Sequence, residues 1–243
     1  MDLGITGRRA VVTGGSKGIG AATVRMLEQE GARVLAVSRS EGVDVTDPAA
    51  PERILEALGG TAPDILVNNA GTSYARSLEE LTDAEWTEQW ELHVMASMRL
   101  MRAFAPVMAE RGWGRIVNVT SSAAKRPSLT NPAYSVSKAA QQSLSRVYAD
   151  TYAKQGVLVN AVAPGPVSSP LWMAEGGLAD QTAKQRGLSR AESLELQAGR
   201  VPVGRFATED EIAAVVVFLC SEPASTVTGA AWSADGGAVA TIV

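Results

Sequence analysis

The sequence predicts an α/β fold in three layers, with helices on both faces of a doubly wound parallel sheet. Short runs rich in β-branched residues alternate with longer helical patterns, which is typical of βαβ units. A glycine-rich turn follows the first of these runs and precedes the first helical pattern. The chain has 243 residues, 46% of them apolar and 20% charged, which fits a single domain over residues 1–243 with a well-filled core.

The individual elements are predicted from the period of the apolar residues and from the turn residues between them. Six strands are expected at residues 10–13, 34–38, 65–68, 115–120, 157–162 and 230–233. Five helices are expected at residues 19–30, 51–58, 83–111, 133–154 and 209–221. Ser/Thr-x-x-Glu capping boxes begin at Thr82, Ser189 and Thr208, where the paired side chains would satisfy free N–H groups at a helix start.

One stretch, residues 166–200, interrupts this alternation. It contains Gly176-Gly177 and Gly187 but no strand pattern. Because it directly follows a strand whose carboxyl end should face the ligand crevice, we interpret it as a substrate lid. A surface insertion without a functional role is the alternative.

Composition and charge make several classes of function improbable. The formal net charge is −4, and no window concentrates Lys and Arg into a stripe that could follow a phosphate backbone, so nucleic acid is not expected as a partner. Neither a membrane-spanning run nor a signal peptide is predicted, and no metal site is expected. The single cysteine, Cys220, lies in an apolar helical run, which favours a core position and a reducing, cytoplasmic location.

The glycine-rich turn predicts a dinucleotide site. The residues Thr13-Gly14-Gly15-Ser16-Lys17-Gly18-Ile19-Gly20 lie between the first strand and the first helix. Glycines at this place let the backbone turn tightly and approach a pyrophosphate, which then meets the free N–H groups of the helix start. A glycine-rich turn alone is weak support, and its placement between strand and helix strengthens it.

The spacing of the motifs resembles that of the short-chain dehydrogenase/reductase family. The pattern Thr-Gly-x-x-x-Gly-x-Gly at residues 13–20 is followed by Asn-Asn-Ala-Gly at 68–71 and Tyr-x-x-x-Lys at 134–138. Pro-Gly at 164–165 and Asp-Gly-Gly at 235–237 complete the set in the family's order. The resemblance implies a Rossmann fold and an NADP(H)-dependent oxidoreductase that transfers a hydride between nicotinamide and a ketone or secondary alcohol. An NAD-dependent alcohol or dihydrodiol dehydrogenase, or a dinucleotide sensor without catalysis, remain alternatives.

The same resemblance implies which residues contact the cofactor. They are Gly14, Ser16, Lys17, Gly18, Ile19, Gly20, Ser38, Arg39, Asp44, Val45, Asn69, Ala70, Gly71, Tyr134, Lys138, Pro164, Gly165, Val167 and Ser169. At the end of the second strand, where NAD enzymes of this fold place a carboxylate, the chain has Ser38 and Arg39. Together with Lys17, Arg39 would suit the 2′-phosphate of NADP. The segment before Asp44 is too short for the helix that the family often has there.

Tyr134 and Lys138 are separated by one helical turn, so they should share a helix face. A nearby ammonium favours the phenolate form of tyrosine, which would make the pair an acid/base. The resemblance implies that Tyr134 exchanges the proton, that Lys138 also binds the nicotinamide ribose, and that Ser121 hydrogen-bonds the substrate oxygen, with Ser122 as a neighbour. His93, the chain's single histidine, stands where the family has Asn. It could relay protons, preserve a local helix distortion, or be inert.

The substrate and the assembly are less closely determined. Leu171, Trp172, Met173 and Leu178 could line an apolar pocket or pack the lid onto the body. Lys125 and Arg126 could meet an anionic substrate or an acyl carrier protein, or form a solvated loop. The family's usual pairing of two long helices predicts a homotetramer or homodimer, with Met95, Met98, Leu144 and Val147 as buried contacts.

Overall fold

A computed structural model describes residues 2–240 of the chain. Within them, six parallel strands form one sheet in the order β2-β1-β3-β4-β5-β6. The strands are β1 (Arg9–Thr13), β2 (Arg33–Val37), β3 (Ile65–Asn68), β4 (Gly114–Val119), β5 (Val157–Pro164) and β6 (Ala231–Ala234). All six predicted strands are confirmed, with ends shifted by one or two residues.

Nine α-helices lie within the same described range. They are α1 (Gly18–Gln29), α2 (Ala50–Ala57), α3 (Asp83–Trp90), α4 (Ala96–Glu110), α5 (Pro132–Tyr152), α6 (Pro170–Met173), α7 (Leu178–Arg186), α8 (Arg190–Ala198) and α9 (Glu209–Leu219). The helix predicted at residues 83–111 is divided, because a π-helical turn, Glu91–Met95, joins α3 to α4. All three predicted capping boxes form, at the starts of α3, α8 and α9.

Both faces of the sheet are buried, which confirms the three-layer Rossmann fold. The aligned residues Val11, Leu66, Ile116 and Val159 form one row across the sheet. That row packs against α2, α4 and α5 on one side. The alternate row, which includes Val12, Val67 and Val117, packs against α1 and α9 on the other. Successive strand residues point to opposite faces, so strands covered on both sides are mainly apolar.

The short connection between β2 and α2 bears out the sequence prediction that no full helix fits there. A single 3₁₀ turn, Arg39–Glu41, follows β2. Residues 166–200 contain α6, α7 and α8 in place of a strand. Cys220 is fully buried, and burial raises the pKa of its thiol to about 12, which suits a core residue. No helix in residues 2–240 is long and apolar enough to span a bilayer.

Candidate active site

A cavity of about 1490 Å³ lies at the carboxyl ends of the strands. β1 lies between β2 and β3, so successive connections leave the sheet in opposite directions at this point and open a crevice. Gly14, Ser38 and Asn69, which directly follow β1, β2 and β3, line it. The predicted cofactor residues lining the cavity are Gly14, Ser16, Lys17, Gly18, Ile19, Ser38, Arg39, Asp44, Val45, Asn69, Ala70, Gly71, Tyr134, Lys138, Pro164, Gly165, Val167 and Ser169.

Gly20 is a predicted cofactor residue that does not line the cavity. A side chain there would overlap the Gly14 carbonyl oxygen and the Asn69 amide. The glycine therefore permits close packing of α1 against the turn. The neighbouring Thr13 hydroxyl accepts hydrogen bonds from the backbone N–H groups of Asn69 and Ala70, each at 3.0 Å, which ties the turn to the segment after β3.

The start of α1 is suited to an anion. Gly14 and Gly18 have φ values of +66° and +62°, which favour glycine and shape the turn. In contrast to α3, α8 and α9, the described part of α1 has no side-chain cap at its start and no acidic residue in its first turn. Its first N–H groups and its helix dipole therefore face the cavity side, where a pyrophosphate would fit.

The end of the cavity next to β2 has two exposed cations and an aspartate that accepts hydrogen bonds from Thr46. Lys17 and Arg39 line it. The Asp44 carboxylate accepts hydrogen bonds from the Thr46 backbone N–H at 2.9 Å and from the Thr46 hydroxyl at 2.8 Å. These bonds hold the pKa of Asp44 below its usual value. Both bonds end on Asp44 Oδ1, so the exposed cations Lys17 and Arg39 share this part of the wall with an ionised carboxylate.

Three predicted catalytic residues come together at the other end. Ser121 follows β4, and Tyr134 and Lys138 lie on α5, and all three line the cavity. The buried Lys138 Nζ lies 5.8 Å from the Tyr134 ring centroid and donates to the Val119 carbonyl oxygen at 2.9 Å. The Ser121 side chain lies within hydrogen-bonding reach of the Tyr134 hydroxyl, and this contact partly opposes the rise that burial causes in the pKa of Tyr134.

Burial dominates the proton affinities of this pair. It raises the pKa of Tyr134, against the smaller opposing effect of Ser121, and it lowers the pKa of Lys138 to about 7. Burial therefore opposes the effect that the sequence predicts, in which the Lys138 ammonium favours the phenolate form of Tyr134. Lys138 Nζ donates to the Val119 carbonyl oxygen and to Gln141 Oε1, each at 2.9 Å.

Two protein-family models match this chain. A family model described as enoyl-(acyl carrier protein) reductase matches residues 41–239, and one described as short chain dehydrogenase matches residues 8–50. This chain belongs to the short-chain dehydrogenase/reductase family.

Several relatives of this short-chain dehydrogenase/reductase match over nearly their full length. L-xylulose reductase of Bos taurus is 33% identical over 259 residues, which cover 99% of this chain and 100% of the relative. Galactitol 2-dehydrogenase of Rhizobium johnstonii is 34% identical over 257 residues, with coverages of 96% and 95%. The crystal structure of L-sorbose reductase from Gluconobacter frateurii, complexed with NADPH and L-sorbose, has a TM-score of 0.89, 35% identity and full coverage of both chains.

His93 of this short-chain dehydrogenase/reductase is fully buried in the π-helical turn and does not line the cavity. Its Nε2 accepts from the Thr72 backbone N–H at 3.3 Å, so its proton lies on Nδ1, which faces the Ser137 hydroxyl at 2.8 Å. That hydroxyl donates to the Tyr134 carbonyl oxygen at 2.9 Å. Burial, and then the nearby Lys138 charge, lower the pKa of His93 well below 6.5. The ring is therefore neutral, and it packs edge-to-face on Tyr134 at 5.3 Å.

Gln141, which the sequence did not single out, supports Lys138. Its side chain is buried, and its Oε1 accepts from Lys138 Nζ at 2.9 Å. Its Nε2 donates to the Ser97 hydroxyl at 2.7 Å, and that hydroxyl donates to the His93 carbonyl oxygen at 2.9 Å. The sequence feature that could have identified Gln141 is its position three residues after Lys138 on the same helix.

The lid segment, residues 166–200, forms one wall of the cavity. Leu171, Trp172 and Leu178 line it, as predicted, whereas Met173 does not. Gln181 on α7 accepts from the Ala75 backbone N–H at 2.8 Å and so joins the lid to the loop after β3.

The two basic residues predicted after Ser121 have different positions. Lys125 Nζ donates to the Ala231 carbonyl oxygen at 2.7 Å and to the Ser233 hydroxyl at 2.8 Å, so it anchors β6 and is not available to a substrate. Arg126 lines the cavity.

Proposed function

We propose that this chain is an NADPH-dependent ketoreductase acting on a ketose or a related polyol-derived ketone. The observation that carries the proposal is the placement of Ser121, Tyr134 and Lys138 at one end of a cavity whose other end has Lys17 and Arg39. The names of the relatives, L-xylulose reductase, galactitol 2-dehydrogenase and L-sorbose reductase, support a sugar or polyol substrate. The NADPH bound to L-sorbose reductase supports the cofactor.

The residues present fit NADPH. The uncapped start of α1 would meet the pyrophosphate, and Arg39 with Lys17 would bind the 2′-phosphate. When bound, NADPH supplies the hydride that adds to the carbonyl carbon. A neutral Lys138 has two N–H groups, which the Val119 carbonyl and Gln141 use. The third N–H of its charged form would bind the nicotinamide ribose.

The protein's own groups supply the proton. Because burial raises the pKa of Tyr134, its hydroxyl carries a proton at neutral pH and can donate it to the substrate oxygen. Ser121 would hydrogen-bond the same oxygen while negative charge develops on it. After the transfer, a protonated Lys138 would stabilise the phenolate until solvent reprotonates Tyr134. A protonated tyrosine suits the reductive direction.

The lid and the assembly belong to the same proposal. α6, α7 and α8 would close over the substrate within a single-domain enzyme, with Gln181 holding them to the loop after β3. Pairing of α4 and α5 between subunits would cover Val136 and Val147, which are exposed on α5. Leu144 instead packs against the core. An intersubunit contact would therefore depend on the other predicted residues, Met95, Met98 and Val147. Light scattering at micromolar concentration should show a homo-oligomer, and a monomer would contradict this part.

Steady-state assays test the activity. Purified protein should oxidise NADPH in the presence of L-sorbose or L-xylulose, and NADH should be the poorer cofactor. The matched control is Tyr134→Phe, which keeps the ring and removes the proton donor. A wild-type protein that binds NADPH but turns over none of a panel of ketoses, hydroxy ketones and quinones would favour a sensor. A preference for NADH would favour the NAD-dependent alternative.

A further inference from the structure

The arginines of this chain divide by location. Of 17 arginines, all within residues 2–240, eleven form an ion pair with a carboxylate there. None of these eleven lines the cavity. The arginines without such a pair in the described residues are Arg33, Arg39, Arg102, Arg126, Arg186 and Arg200. The four of them that line the cavity are Arg39, Arg126, Arg186 and Arg200. No arginine on the cavity wall therefore has a described carboxylate within ion-pair distance, although the charge of Arg39 does act on the nearby Asp44.

The acidic residues on the same wall are fewer than the basic ones. Asp44, Glu88 and Glu91 line the cavity. Asp44 interacts with the charge of Arg39, and Glu91 forms a 2.9 Å ion pair with Arg99. Glu88 forms no ion pair within residues 2–240. Like charges facing one cavity repel each other, and a cavity wall of one sign attracts and concentrates ligands of the opposite sign.

One anion is insufficient to explain all four arginines. Under the proposed function, Arg39 binds the 2′-phosphate of the cofactor at the end of β2. Arg126 lies five residues after Ser121, Arg186 is the last residue of α7, and Arg200 follows α8 by two residues. On α7, Leu178, Thr182 and Arg186 all line the cavity at four-residue spacing, so one helix face presents an apolar, a hydroxyl and a cationic group in a row.

We propose that the substrate carries an oxyanion group, a carboxylate or a phosphate, which the guanidinium groups of Arg126, Arg186 and Arg200 attract and bind. The proposal rests on the proposed function and narrows its substrate class from ketoses in general to anionic ones, such as keto sugar acids. Guanidinium suits both oxyanions because it can donate two parallel N–H groups to either. The carbonyl would lie at Tyr134, and the anionic group toward the lid.

Matched substrates test this proposal. 5-Keto-D-gluconate and L-sorbose share one carbon skeleton and one ketone, and they differ in having a carboxylate or a hydroxymethyl group at the far end. D-Fructose 6-phosphate and D-fructose form the corresponding phosphate pair. At low ionic strength, kcat/KM with NADPH should be at least about tenfold higher for the anionic member of one pair, and that pair identifies the oxyanion. Equal values within both pairs would overturn the proposal.

Variants connect the preference to the arginines. The measured quantity is the ratio of kcat/KM for the anionic substrate to kcat/KM for the neutral one. This ratio should fall in the single variants Arg126→Gln and Arg186→Gln. It should fall further, by about tenfold or more, in the triple variant that also carries Arg200→Gln. The matched controls are Arg33→Gln and Arg102→Gln, which change unpaired arginines outside the cavity and should leave the ratio unchanged. A ratio that the triple variant retains would refute the assignment to these arginines.

Binding separates this proposal from the proposed function. Calorimetry of D-gluconate against the NADP-loaded protein measures the anion site without turnover. If no ketone is reduced but D-gluconate binds the wild type at least about tenfold more tightly than the triple variant, the proposed function fails and the anion site stands. If ketoses are reduced but neither binding nor the kinetic ratio depends on the three arginines, the anion site fails alone.

Discussion

Lys138 offers a quantitative test of the reasoning about burial. Its side chain is 2% exposed, and burial lowers its pKa from 10.5 to about 7. Between these two values the unfolded chain holds a proton on Lys138 that the folded protein releases. The free energy of unfolding should therefore rise with pH in this window, by about 1.4 kcal/mol per unit. Over the whole shift, the ammonium form of Lys138 is disfavoured by about 5 kcal/mol in the folded protein.

Lys138→Met isolates this effect, because methionine is of similar length and does not titrate. The variant leaves the Val119 carbonyl and Gln141 without their donor, at a cost of about 1–3 kcal/mol for each group. That cost does not vary with pH. Urea unfolding of both proteins at pH 7.5 and 9.5, without added cofactor and at one protein concentration, gives the free energies of unfolding. Their difference, wild type minus variant, should increase by about 3 kcal/mol between these pH values.

A control separates burial from the general effect of removing a lysine. Lys154 is exposed, so Lys154→Met should leave the difference from wild type constant over the same pH range. If the Lys138→Met difference is also constant, the ammonium is not desolvated in the folded protein. The argument that burial lowers the pKa of Lys138 would then be wrong.

Substitutions at three further residues test the assigned roles. Tyr134→Phe should lower kcat by about 100-fold or more, the usual size of a general acid contribution, and NADPH binding measured by fluorescence should persist. Arg39→Asp should reduce the preference for NADPH over NADH, measured as the ratio of kcat/KM, by more than about tenfold, a change of about 1.4 kcal/mol, and an unchanged ratio would remove Arg39 from the 2′-phosphate site. His93→Leu should lower stability by about 1–3 kcal/mol in urea unfolding, because the Thr72 N–H loses its acceptor, whereas His93→Asn should be milder. Because burial lowers the pKa of His93 well below 6.5, this residue should not titrate near pH 6.5. The pH–rate profiles of the wild type and of His93→Asn should therefore have the same shape in that range.

The parts that the sequence predicted well depend on neighbours along the chain. Strands and capping boxes are local patterns, and the glycine turn is recognisable because it lies between a strand and a helix. The residues at the carboxyl ends of parallel strands then meet in one crevice, so most of the predicted cofactor residues line one cavity. Gly20 shows what the motif does not specify, since a side chain there would overlap the Gly14 carbonyl oxygen.

The parts that were missed depend on distant segments and on burial. Lys125 was a candidate substrate contact because it lies near Ser121, but its partners on β6 are more than a hundred residues away. The proton affinity of Tyr134 was predicted from the Lys138 charge alone. The outcome depends on how much water the fold excludes, and here burial outweighs the charge. A sequence pattern gives the spacing of such a pair but not its solvation.

The support behind Lys138 combines three elements that no single motif contains. Gln141 lies on α5, Ser97 on α4, and the His93 carbonyl in the π-helical turn, and packing of these elements excludes water from the hydrogen bonds between them. Because the two N–H groups of a neutral Lys138 are directed inward to Val119 and Gln141, the proton that it gains or loses must be the third one. That proton faces away from both acceptors. Under the proposed function, the buried amide of Gln141 would thereby direct the proton exchange of Lys138 toward the cavity, which Tyr134 lines.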